Sequence, residues 1–235
     1  MKTPTVDYRK LRLSNLNTPE FRHVKLLLYW PVYGLLFLFV EQFYQPGAYY
    51  SMHCALDDLI PFNELFLIPY LFWFVFLIGM LAYTFFYDPD CFTRMMKFII
   101  LTYSAALLVY LLFPNCQHLR PAGFERDNIL TRFMAWFYRF DTDTNVCPSI
   151  HVIGSLAVMF AAWNTPAFRS KGWKRAFTLV AALISVSTVF VKQHSVLDVL
   201  AALPLCAAAY PLCFKTGAGS RQEKKWTKKP DKTCC

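Results

Sequence analysis

The chain has 235 residues, of which 56% are hydrophobic and 18% aromatic, with only 17% charged. A soluble domain carries about 25% charge, so this composition excludes an ordinary soluble domain and points to a membrane protein. The net charge of +9 does not read as a nucleic-acid surface, because the basic residues lie mainly in the chain ends and short loops, where they set membrane topology.

In chain order, residues 1–25 form a polar arm with Lys2, Arg9, Lys10, Arg12, Arg22 and Lys25. Six apolar runs follow, at roughly 26–43, 65–87, 98–115, 150–168, 176–193 and 195–214. A spanning helix needs about 20 apolar residues, with a range of about 17–25. Backbone polar groups in lipid must bond within their own segment, so each run is expected to be a helix. The first run is long and lacks a small-residue cleavage site, so it is expected to stay in the mature protein. The expected architecture is all-α: a six-transmembrane-helix bundle over 26–214, a cytosolic arm over 1–25 and a basic cytosolic tail over 215–235.

The arm, the loop after run two (Arg94, Lys97), the loop after run four (Arg169, Lys171, Lys174, Arg175) and the tail hold six, two, four and seven basic residues, which is 19 of 24. The positive-inside rule makes all four cytosolic, with both termini on that side. The opposite face keeps Arg120, Arg126, Arg132, Arg139 and Lys192. Run four then enters at Ser149 and run six at His194, so His151 and His194 are expected at one membrane face. The long loop 116–148 lies at that face too.

Three motifs gather there: "LRP" with Arg120, "CPSIH" with Ser149 and His151, and "KQHSVLD" with Lys192, His194 and Asp198. His194 and Asp198 are spaced i,i+4, which puts them on one side of a helix. A carboxylate on one ring nitrogen fixes the tautomer and leaves the other lone pair free, as an activated nucleophile requires. An acid one turn inside an apolar span is costly unless paired. The start of run four offers free N–H groups to a phosphate, and Ser149 adds an N-cap or first-turn hydroxyl. Arg120 is suited to grip two phosphoryl oxygens, Lys192 to add a point charge, and His151 to act as general acid.

Elsewhere, His23 is expected on the surface of the arm, and His53 and His118 in external loops, with His118 a candidate for the pocket wall. Asp57 and Asp58, in the first external loop, read as a helix start or a solvated turn, with head-group binding as the alternative. Met95, Met96 and the aromatic runs "LFWFVF" and "MAWFYRF" read as lipid-facing or interfacial. The eight cysteines form no CxxC pair, which argues against a zinc or dithiol motif. Pairing of Cys116 with Cys147, and palmitoylation of Cys234 and Cys235, stay open. The tail after run six is expected to be disordered and held near anionic lipid.

Arg-Pro, then Pro-Ser-x-His, then His-x-x-x-Asp, in that order on six spans, resembles the type-2 phosphatidic acid phosphatase superfamily, most of all the branch with inositol phosphorylceramide and sphingomyelin synthases. The likeness covers about 50–214. It implies a membrane enzyme without metal or other cofactor, acting on a lipid phosphate substrate among membrane lipids, with no nucleic-acid partner. It implies that His194 attacks phosphorus and forms a phosphohistidine, that Asp198 orients His194, and that His151 protonates the departing oxygen. Arg120, Ser149 and Lys192 would bind phosphate. Two positions depart from the family pattern: Phe113 stands where it has Lys, and Thr188 where it has Arg. The expected function is lipid phosphate hydrolysis at the extracytosolic or luminal face of a plasma or endoplasmic-reticulum membrane. Head-group transfer and, from another class, a non-catalytic transporter or lipid scaffold are the alternatives. The substrate lipid, the organelle and the oligomeric state are left open.

Overall fold

The computed structural model describes residues 4–215. The apolar runs are helical, as lipid demands of a segment that must satisfy its own backbone. Helix α1 (Tyr29–Gln42) continues a 3-10 segment, Arg22–Leu28. It is followed by α2 (Ala55–Leu59), α3 (Leu67–Tyr87), α4 (Pro89–Leu112), α5 (Ile129–Phe137), α6 (Ile150–Asn164), α7 (Lys171–Phe190) and α8 (Val196–Tyr210). A two-residue parallel pairing joins β1 (Tyr50–Ser51) to β2 (Asn115–Cys116). Among the described residues five helical segments are long and apolar enough to cross a membrane: Arg22–Gln42, Glu64–Tyr87, Pro89–Leu112, Lys171–Phe190 and Val196–Lys215. They mark the chain as an integral membrane protein.

The fourth expected run differs. Helix α6 has 15 residues, about 22 Å of rise, against a hydrocarbon thickness of about 30 Å. It packs against α3, α4, α7 and α8. Ten of its residues are buried, among them Gly154, Ser155, Ala157, Ala161 and Ala162. A helix enclosed by its neighbours meets little lipid, so its length is not tied to the bilayer. Small side chains let the neighbours close in. A Cβ on Gly154 would lie 2.8 Å from both Trp73 Nε1 and the Tyr103 hydroxyl oxygen, so any larger residue there must push these side chains aside.

The third run starts earlier than expected. Asp88 caps α4 by accepting from Cys91 N at 3.1 Å, and Pro89 takes the first helical position, where its missing N–H costs nothing. Arg94 and Lys97 therefore lie inside α4, not in a loop. Met95 and Met96 are fully buried in the core and do not face lipid. Of the two aromatic runs, Phe72, Phe74, Val75, Trp136 and Phe140 are exposed as expected, but Trp73, Phe76 and Met134 are buried. Exposed apolar residues such as Leu35, Ile78, Leu179 and Leu200 lie along the outer helices.

The arm does not stand free. His23 is buried and not on the surface: its Nε2 pairs with the Tyr8 hydroxyl at 2.8 Å, and that hydroxyl donates to Phe85 O at 2.6 Å. The polar tip of the imidazole is thus satisfied while its ring packs on Phe85 and Phe92. The tail beyond Lys215, including Cys234 and Cys235, lies outside the described residues.

The helices alternate in direction. At one end, the α3–α4 turn meets the C-terminal end of α6, where the Thr165 hydroxyl donates to Asp88 Oδ2 at 2.6 Å. At the other end, Asn63 N donates to Phe190 O at 3.0 Å, which joins the start of α3 to the end of α7. The second end carries α2, α5 and the starts of α6 and α8.

Candidate functional site

Helix α7 ends in a Schellman motif: Gln193 N donates to Thr188 O at 3.0 Å and Lys192 N to Val189 O at 3.1 Å. Lys192 occupies the left-handed position, with φ 52°, where glycine is usual. Ser195 then caps α8, its hydroxyl accepting from Leu197 N at 3.1 Å, while Asp198 Oδ2 accepts from Ser195 N at 2.9 Å. This capping box fixes Asp198 in the first turn and leaves His194 just outside it. His194 Nδ1 lies 3.2 Å from Asp198 Oδ2. A carboxylate only accepts, so Nδ1 carries the proton and Nε2 holds the lone pair. That Nε2 lies 3.4 Å from His151 Nδ1. The two imidazoles from α6 and the α7–α8 turn therefore meet at one end of the bundle, 43 residues apart in sequence. Asp198 Oδ1 is buried with no hydrogen-bond partner. The Cys147 thiol lies beside that carboxylate, and burial, reinforced by Asp198, pushes its pKa up to about 12.

His151 is held from several sides. Its ring lies 4.6 Å from the Tyr70 ring and 4.5 Å from the Trp73 ring, centre to centre. Ser149 caps α6 by accepting from Val152 N at 3.4 Å, so its N-cap role is as expected. The Tyr110 hydroxyl donates to Pro148 O at 2.7 Å, and Ser149 N donates to Asp198 O at 3.1 Å. The N–H groups of Ile150 and His151 have no partner among the described residues; these are the free donors of a helix start.

Four residues outside the three motifs build this frame. Asn115 Oδ1 accepts from Val146 N and Cys147 N, each at 2.8 Å, and so shapes the approach to α6. Asp57 is fully buried and no solvated turn. It serves the start of α2, where Cys54 N donates to its Oδ2 at 2.9 Å, and also the start of α8. There it accepts from the Ser195 hydroxyl at 2.6 Å and from Val196 N at 2.8 Å. Burial alone would raise the Asp57 carboxyl pKa, but these hydrogen bonds outweigh it and hold the pKa below the usual range. Glu41 and Asp141 are the other two; both line a cavity with His151 and His194. Burial pushes the Asp141 carboxyl up, against the pull of His194 and Arg120.

That cavity is small, about 30 Å³, and is walled further by Phe37, Tyr110, Asn145 and Gln193. Such a space admits a group about the size of a water molecule. Neither Arg120 nor Lys192 lines it. Arg120 gives its terminal N–H groups to the carbonyls of Tyr138, Asp141 and Thr142 and to Gln193 Oε1, at 2.7–3.0 Å. Its guanidinium also sits 4.5 Å over the Tyr138 ring. Lys192 Nζ donates to Asp57 O at 2.8 Å, and burial lowers its pKa against the pull of Asp57 and Asp58. Both cations thus hold loops in place. The sequence could not reveal this, because their partners are mostly backbone carbonyls of distant segments. His118 pairs with Asp143 at 3.4 Å and is exposed, outside the cavity wall. Cys116 and Cys147 are free thiols.

Among the described residues, no group of three or more His, Cys, Asp or Glu side chains is arranged to hold a metal ion. Compared with protein-family models, with curated proteins and with solved structures, the chain shows no match.

Proposed function

We propose that this protein is an integral-membrane enzyme that cleaves a lipid phosphoester through a phosphohistidine on His194. One observation carries the reading: the buried line Asp198–His194–His151, with separations of 3.2 and 3.4 Å, beside unpartnered N–H groups at the start of α6. An imidazole whose second nitrogen is held by a buried carboxylate is an oriented nucleophile. A second imidazole on the same axis is an acid–base partner.

The steps balance as follows. A phosphoryl group entering between the rings displaces their hydrogen bond. His194 Nε2 attacks phosphorus and forms a P–N bond as the P–O bond to the leaving alcohol breaks. His151 gives its proton to the departing oxygen. His151 then takes a proton from water, or from an acceptor alcohol, whose oxygen attacks phosphorus and breaks the P–N bond. Asp198 balances the charge on the imidazole throughout. The Ile150 and His151 N–H groups and the Ser149 cap meet the charge that develops on the phosphoryl oxygens. Arg120 and Lys192 contribute by holding the loops, and either would have to leave its carbonyl partners to touch phosphate.

In this reading α6 crosses the membrane inside a sheath formed by the other five. Arg22, Lys25, Arg94, Lys97, Arg169, Lys171, Lys174, Arg175 and Lys215 belong to the bundle end opposite the imidazoles. By the positive-inside rule that end is cytosolic and the site extracytosolic. The test is turnover of short-chain lipid phosphates by purified protein and by His194→Ala. Loss of phosphate or diacylglycerol release in the variant supports the reading; equal release by the two proteins overturns it.

A further inference from the structure

The bundle end opposite the imidazoles carries a trough of about 580 Å³ where the last turn of α6 meets the first turns of α7. Trp163 of α6 and Lys174, Arg175, Thr178 and Leu179 of α7 line it. The Trp163 indole N–H donates to Lys174 O at 3.4 Å, which sets the ring against α7. The Thr178 hydroxyl donates to the same carbonyl at 2.8 Å. With both polar groups committed there, the uncharged wall is almost wholly apolar. The two cations at the rim have no carboxylate partner among the described residues. Beyond Arg175, the exposed side chains of Leu179, Leu183 and Val186 follow one another along α7. They recur at the three- and four-residue spacing that keeps one side of a helix. From Arg175 to Val186 the helix rises about 16 Å, so this line leads from the rim into the hydrocarbon of one leaflet.

Two unpaired positive charges above an apolar strip match a phosphate that carries a hydrocarbon chain. We propose that this trough binds an anionic phospholipid of the adjoining leaflet, its phosphate on Lys174 and Arg175 and one acyl chain along Leu179, Leu183 and Val186. A zwitterionic lipid brings its own cation to the rim, which offsets the attraction; an anionic lipid does not. The chain's own residues 216–235 are the other candidate occupant. They hold six basic residues against two acidic ones, so they bring like charge to a basic rim. A lipid seated in the trough bridges α6 to α7 and stabilises the folded bundle by mass action. The trough lies at the far end of the bundle from His194, so the inference is independent of the reaction assigned to that residue.

The test reads binding, not turnover. The full-length chain in a neutral detergent is titrated with dioleoyl phosphatidylglycerol or dioleoyl phosphatidylcholine and followed by native mass spectrometry. One phosphatidylglycerol is expected to be retained at concentrations where phosphatidylcholine is not. Each basic contact to an anionic lipid adds about fivefold in affinity, so Lys174→Gln/Arg175→Gln should bind phosphatidylglycerol about thirtyfold more weakly. Lys10→Gln/Lys97→Gln removes the same charge from the same end of the bundle and should leave the affinity unchanged. A second readout needs no charge variant. Phosphatidylglycerol brominated on one acyl chain should quench tryptophan emission more than brominated phosphatidylcholine, and Trp163→Phe should reduce that excess. Equal retention of the two lipids, a Lys174/Arg175 double variant that binds like the control pair, or an excess quench undiminished by Trp163→Phe would overturn the inference. Retention of no lipid at all would overturn it too, and would assign the trough to the chain's own residues 216–235.

Discussion

Asp57→Ala is the perturbation whose cost can be worked most directly. The Asp57 carboxylate is fully buried on α2 and accepts from the Ser195 hydroxyl, Val196 N and Cys54 N at 2.6, 2.8 and 2.9 Å. Its removal strands two donors at the start of α8 and one at the start of α2. A hydrogen bond to a charged group contributes about 1.5–3 kcal/mol, and a stranded buried donor costs about 1–3 kcal/mol. These overlap, and the Ser195 hydroxyl can rotate, so the net loss is on the order of 3–5 kcal/mol. For a chain of this size that is a fall in the unfolding midpoint on the order of 10 °C. The assay is thermal unfolding of the full chain in detergent, followed by tryptophan fluorescence. The pH dependence supplies a second check. The folded pKa of Asp57 is depressed, so its stabilisation is present above the unfolded value of about 4 and is lost as pH falls through the folded value. The gap between wild type and Asp57→Ala should be full at neutral pH and close in acid. An unchanged midpoint at neutral pH, or a gap that widens in acid, would refute the argument.

Other outcomes follow from the same geometry. Gly154→Ala puts a methyl group 2.8 Å from Trp73 Nε1 and the Tyr103 hydroxyl, so it should cost about 1–3 kcal/mol of stability and shift Trp73 off His151, seen as a change in tryptophan emission. Asp198→Asn keeps an acceptor for Ser195 N but no longer enforces the His194 tautomer; turnover should fall on the order of 10²–10⁴-fold with the unfolding midpoint little changed. Arg120→Lys replaces a fork that meets three carbonyls and Gln193 by a single point donor. It should speed proteolysis in the loop 116–148, read by mass spectrometry of the fragments, and spare cleavage near Lys171.

Much of the site was legible because it is local. The i,i+4 spacing of His194 and Asp198, the Ser149 cap and the alternation of apolar runs each follow from helix geometry and loop charge alone. What was hidden depends on which helix face meets which neighbour. The third run reads as starting at 98, which left Met95 and Met96 looking interfacial or lipid-facing; α4 starts at Pro89 and carries both into the core, where their partners come from other helices. Glu41 and Asp57 stand about 100 and 140 residues from the groups they serve, Asn145 and Ser195. Neither a carboxylate near the end of an apolar run nor one in a short loop carries any sign of such a partner. Arg120 looked like a phosphate clamp because a guanidinium binds two oxygens; the oxygens it holds are mostly backbone carbonyls, whose positions exist only after the loop has folded.

The most direct test of the central claim is to trap the intermediate. Wild type and His194→Ala are mixed with an excess of the best short-chain lipid, quenched within the first turnover under alkaline conditions that preserve phosphohistidine, and digested for mass spectrometry. A phosphoryl or phospho-head-group adduct on the His194 peptide, absent from the variant, is the predicted result. Rapid turnover by wild type with the His194 peptide unmodified at every quench time, and equal turnover by the variant, would contradict it.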